Sequence, residues 1–148
     1  LLHWGSDKVE LGLKVYWKEL AGVFQELIEE SQQIRMLKEA IAAKPPEATY
    51  FERIKVGEMV KGAFEEKKEN LRNRTLELLK PYAIDVKTSP IYGDSMVLNA
   101  AFFVGKEKES FFDQAVQELA SQSNGNLQFK YVGPVPPFNF VTVRIRWE

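Results

Sequence analysis

The chain predicts an α+β fold with the βαββαβ order of a ferredoxin-like sandwich: a mostly antiparallel sheet, elaborated by a long helical hairpin and one extra C-terminal strand. Three observations carry this. Residues 9–17, 83–88, 127–131 and 141–147 alternate apolar and polar side chains, the period of a half-buried strand. Residues 19–43 and 53–80 carry apolar residues at three-and-four spacing, the period of an amphipathic helix. Residues 96–104 form a nearly continuous apolar run closed by Gly105, the pattern of a strand at a sheet centre.

Taken in order, Val9, Leu11, Leu13, Val15 and Trp17 share one face of the first strand, and Glu10, Lys14 and Tyr16 the other. Trp17, an aromatic on the apolar parity, reads as core rather than as a stacking residue. The first helix runs as one piece from 19 to 43 and stops at Lys44-Pro45-Pro46, because the residue before a proline avoids the α region. The second stops at Pro81, and the two pack as an antiparallel hairpin because each apolar stripe needs a cover. The charged run Glu65-Glu66-Lys67-Lys68-Glu69 reads as a solvated face. Residues 83–88 and 96–104 pair as antiparallel neighbours across a turn containing Gly93-Asp94-Ser95. A third helix spans 107–121, with Phe111, Phe112, Val116 and Leu119 on its buried stripe.

Composition narrows the chemistry. The chain has 148 residues, 45% hydrophobic and 28% charged, with a formal net charge of −1, so no general attraction to nucleic acid or anionic lipid is expected. There is no cysteine and His3 is the single histidine, which removes thiolate ligands, cysteine nucleophiles and histidine-based triads. Phosphate-loop, nucleophile-elbow and calcium-loop spacings are missing. Ser95 follows Gly93-Asp94, but the sequence offers no base to activate it. Neither an enzyme nor a cofactor or metal site is expected.

The most constrained stretch is Gly133-Pro134-Val135-Pro136-Pro137-Phe138-Asn139-Phe140, followed by Val141. Each proline fixes φ and removes a donor, so an extended segment without ladder bonds is expected across Pro134, Pro136 and Pro137. Phe138 and Phe140 then resume a two-residue period, sharing an inward face with Asn139 opposite; the inward reading is preferred for Phe140 and left open for Phe138, the alternative being that both rings stay in solvent as a docking patch. The terminal strand turns Arg144 and Arg146 outward as a basic face.

This nonapeptide resembles the Gly-Pro-Trp-Pro-Pro-Tyr-Ser/Asn-Phe motif of the gas vesicle proteins GvpF and GvpL, with Val135 in place of tryptophan and Phe138 in place of tyrosine. Gly12-Leu13-Lys14-Val15-Tyr16-Trp17 resembles the strand that closes that family's N-terminal domain. The resemblance implies a noncatalytic accessory or minor structural protein that takes part in gas vesicle assembly in the cytoplasm, with the main shell protein GvpA as partner. Gly133, Pro134, Pro136, Pro137, Phe138, Phe140, Arg144 and Arg146 are then the structural motif and partner surface. Periodicity leaves open whether residues 9–17 begin the sheet; the resemblance favours a division into 1–18, a remnant of a preceding α/β domain, 19–52, a linking helix and proline loop, and 53–148, the ferredoxin-like domain. A start at Leu1 agrees with a piece of a longer protein. The alternative is an RNA-binding module of the same fold, using Lys130, Tyr131, Arg144 and Arg146, although residues 97–103 lack that module's basic, glycine and spaced-aromatic pattern.

Overall fold

Strand β1 (Lys8–Trp17) buries Val9, Leu11, Leu13, Val15 and Trp17, the five side chains that its alternation places on one face. In this computed structural model, which describes residues 7–123 and 125–140, β1 pairs with β3 (Met96–Gly105) on one side and β4 (Leu127–Val135) on the other. With β2 (Asp85–Thr88) the sheet order is β2-β3-β1-β4, and every neighbouring pair is antiparallel. Residues 8–17, whose place periodicity left open, are an inner strand of this sheet. An apolar row of five residues needs partners on both edges and a cover on its face, and here it finds all three.

The chain divides into two units, Leu1–Lys18 with Arg72–Glu148, and Glu19–Leu71. The boundaries at 18/19 and 71/72 replace the expected 52/53 division. The helix expected to start the C-terminal domain, α3 (Tyr50–Leu79), runs without interruption across residue 71.

In the first unit α4 (Glu109–Gln122) covers the apolar face. Phe112 is fully buried, with its ring 4.8 Å from Phe102 of β3 and 6.0 Å from Tyr131 of β4. Burying one such ring contributes about 1.5–3 kcal/mol relative to leaving it in water. Arg72 donates from Nε to the Val97 carbonyl at 2.9 Å, tying the end of α3 to β3. The other face of the sheet is only partly covered: Asn99, Ala101 and Phe103 of β3 are half-buried, although the apolar run suggests burial on both faces.

In the second unit α1 (Leu20–Glu30) and α2 (Gln32–Ala42) replace the single helix expected over 19–43. Ser31 breaks it at φ −101° and ψ 108°, and its hydroxyl accepts from the Ile34 N–H at 3.2 Å. Serine favours such a cap because its oxygen competes with the helix for backbone donors. Packing against α3 is antiparallel. Phe24 stacks on Phe64 at 4.8 Å, Lys67 reaches Glu26 at 3.0 Å and Glu30 at 3.5 Å, and at the other end Lys44 reaches Glu52 at 3.3 Å. A backbone N–H and the Lys44 ammonium hold the Glu52 carboxyl below the usual carboxylate range. Lys68, read as part of a solvated run, is buried with its ammonium 4.9 Å from the Phe64 ring, because its long stem covers apolar surface. Among the described residues no helix is long and apolar enough to cross a membrane.

Candidate functional site

The proline stretch folds back over the half-open face of the sheet. β4 continues through Pro134 to Val135, which pairs with Glu10 after a register shift between Glu10 and Gly12. An unpaired segment is the expectation from three prolines. Pairing persists because β4 is outermost among the described strands, where a missing donor on the side away from β1 breaks no ladder with them. Gly133 has φ +115°, and a Cβ there would lie 2.7 Å from the Glu10 carbonyl oxygen, so the close approach of the two strands requires glycine. The Gly133-Pro134 peptide is cis.

Beyond Val135 the chain turns. Pro137 is buried, and residues Phe138–Phe140 form a single 3-10 turn rather than a strand, with the Phe138 N–H donating to the Pro136 carbonyl and the Phe140 N–H to the Pro137 carbonyl. At three residues per turn Phe138 and Phe140 do not share a side, and the shared inward face expected of them is lost. Phe140 stacks on Phe103 with centroids 5.3 Å apart and planes at 24°, whereas Phe138 is 74% exposed.

Asn139, between them, locks the turn. Its backbone N–H donates to Glu10 Oε1 at 2.8 Å and its Nδ2 to Glu10 Oε2 at 2.7 Å, while Lys87 Nζ donates to its carbonyl at 2.6 Å. Glu10 is 7% exposed, so the two bonds satisfy a nearly buried carboxylate. The sequence hides this pair. Glu10 has the parity of a solvated residue, and nothing in a strand pattern announces that a loop 129 residues later lies on top of it.

Between this clasp and the upper part of the sheet lies a cleft of about 240 Å³, with Gly12 and Ala101 among its lining residues and Lys14, Lys130, Asn99 and Asn139 around them. Tyr16 lies on the same strand parity, and the Lys130 ammonium sits 5.0 Å from its ring centroid. Tyr131, the RNA-reading candidate, points to the opposite, α4-covered side. Its hydroxyl donates to Asp113 Oδ1, and burial first, then that carboxylate and Glu109, push its pKa far above the ordinary tyrosine value. Gly133, Pro134, Pro136, Pro137, Phe138 and Phe140 are thus gathered in one clasp, whereas Arg144 and Arg146, with the expected terminal strand, lie outside the described residues.

Comparison with known proteins gives the same frame. Residues 1–142 match the family model described as gas vesicle synthesis protein GvpL/GvpF. Gas vesicle protein F of Streptomyces sp. (strain CB03234) is 30% identical over 136 residues, covering 92% of this chain and 56% of that protein. Gas vesicle protein F of Nostoc sp. (strain PCC 7120 / SAG 25.82 / UTEX 2576) is 25% identical over 138 residues, covering 93% and 55%. The crystal structure of the gas vesicle protein GvpF from Anabaena sp. PCC7120 has the same fold, with a TM-score of 0.83 at 22% identity over 96% of this chain and 57% of that one. That of GvpF from Microcystis aeruginosa gives 0.71 at 21%. The chain spans just over half the length of these two gas vesicle F proteins.

Proposed function

The chain belongs to the gas vesicle synthesis protein GvpL/GvpF family, and on that premise we propose that it takes part in gas vesicle assembly in the cytoplasm as a noncatalytic accessory or minor structural component, by binding the main shell protein GvpA. The observation that supports this reading is the exposed Phe138 ring at the tip of a turn that is held by backbone and side-chain hydrogen bonds. Val132 and Val135, also exposed, precede it on β4. A large apolar side chain presented on a pre-ordered turn loses little entropy on binding and suits an apolar partner surface. The clasp keeps the ring outward: Pro137 is buried, Phe140 stacks on Phe103, Asn139 is tied to Glu10, and Phe138 is what remains.

The test is co-purification of the intact chain with GvpA from cells producing both proteins. Stoichiometric capture that survives washing in 1 M salt is expected, since an apolar contact is not screened. Failure to capture GvpA under any of these conditions overturns the assignment of partner.

A further inference from the structure

The register of β1 against β4 sets Lys14 directly opposite Lys130, on the half-open face and at the rim of the cleft. Opposed residues in an antiparallel pair have Cβ atoms about 4.5–5.5 Å apart, and like charges in that relation repel. Among the described residues neither ammonium forms an ion pair; Lys130 has only the Tyr16 ring. On the other side of Lys14, across β1, stands Asn99, whose side chain donates to the Pro90 carbonyl. Below them Gly12 and Ala101 face each other in the next row, where the Val132 side chain leans over Gly12 and the small Ala101 leaves the rest of the depression open. At its far end both Glu10 oxygens accept from Asn139, whose carbonyl accepts from Lys87, and no ion pair joins Glu10 to Lys14 or Lys130 among the described residues.

We propose that this cleft binds a carboxylate side chain of an acidic peptide segment carried by a partner protein. The inference stands apart from the shell-protein reading, which concerns the apolar tip at Phe138. Two cross-strand lysines with no ion-pair partner among the described residues repel each other less when one carboxylate sits between them, so the arrangement favours an anion. The volume, about 240 Å³, admits one side chain with its flanking backbone and lies below the about 300–1,000 Å³ of small-molecule sites. Nucleic acid fits less well: the Tyr16 ring is occupied by Lys130, and a net charge of −1 supplies no wider field.

An NMR titration of the intact chain tests this with the blocked peptide acetyl-Ala-Glu-Asp-Glu-Ala-amide at 0.15 M salt, its Gln/Asn counterpart, inorganic phosphate, and a single-stranded RNA oligonucleotide as parallel arms. The acidic peptide is expected to shift the amides of Gly12, Ala101 and Val132, the neutral peptide to leave them unmoved, and Lys14→Glu to weaken acidic-peptide binding at least tenfold. Because Lys14→Glu also turns the repelling pair into an attracting one, its Tm should equal or exceed that of the parent. Lys14→Gln, which removes one charge without adding another, should weaken binding as well, so the conclusion does not hang on one variant. Overturning results are an absence of shifts with the acidic peptide, equal binding by the neutral peptide, undiminished binding by both Lys14 variants, or perturbation of these amides by phosphate or RNA but not by peptide.

Discussion

Asn139 holds Glu10 at two points, backbone N–H to Oε1 and side-chain amide to Oε2, and so fastens the end of the described chain to the second residue strand β1 buries. A hydrogen bond to a charged group contributes about 1.5–3 kcal/mol, and a nearly buried carboxylate left with fewer donors costs a similar amount. Asn139→Ala is therefore expected to lower the unfolding free energy by about 2 kcal/mol in urea denaturation. Asn139→Asp should cost more, because it sets a second carboxylate against Glu10.

Gly133 and Gly93 both have positive φ, but they differ in surroundings. At Gly93 an added Cβ meets nothing within 4 Å; at Gly133 it meets the Glu10 carbonyl at 2.7 Å. Gly93→Ala should cost about 1 kcal/mol, the strain of the backbone conformation alone. Gly133→Ala should cost clearly more, at least about 2 kcal/mol, since backbone cannot yield as a flexible side chain does. Equal losses in parallel thermal melts would remove the close approach from the account.

Tyr131 ties α4 to β4 through Asp113, and its pKa is raised in the folded chain. A raised folded pKa means that the folded state keeps its proton where the unfolded state, near the ordinary tyrosine value of about 10, gives it up. The contribution of this group is fully present below pH 10 and declines as pH rises above it. Stability measured from pH 9 to pH 11 should fall with a steeper slope in the parent than in Tyr131→Phe, which has no proton to lose.

Much of the sheet was legible because its cause is local. The alternation in residues 9–17 and the apolar run of 96–104 require a buried face wherever they lie, and β1 and β3 are the two inner strands. The break at Ser31 was hidden because the apolar spacing continues through it; the signal was serine itself, placed three residues before Ile34. The site was legible in part. Three prolines and a glycine marked the clasp, but the period-two reading of Phe138-Asn139-Phe140 failed, because a proline-led turn can close a 3-10 hydrogen bond in the space of one residue pair. Glu10, Lys87 and the Lys14–Lys130 opposition arise from strand register and loop return, which no single-sequence pattern encodes.

The claim at the centre of the account is that the clasp separates two roles, Phe140 for holding the turn and Phe138 for meeting the partner. Phe140 is half-buried against Phe103, so Phe140→Ala should cost about 2 kcal/mol, less than the about 3–5 of a fully buried ring. Phe138→Ala, at an exposed position, should change stability by no more than about 0.5 kcal/mol. The direct measurement is unfolding free energy and GvpA capture on the same Phe138→Ala protein: unchanged stability with capture reduced at least fivefold is the predicted result, and undiminished capture by a fully folded Phe138→Ala chain would contradict it.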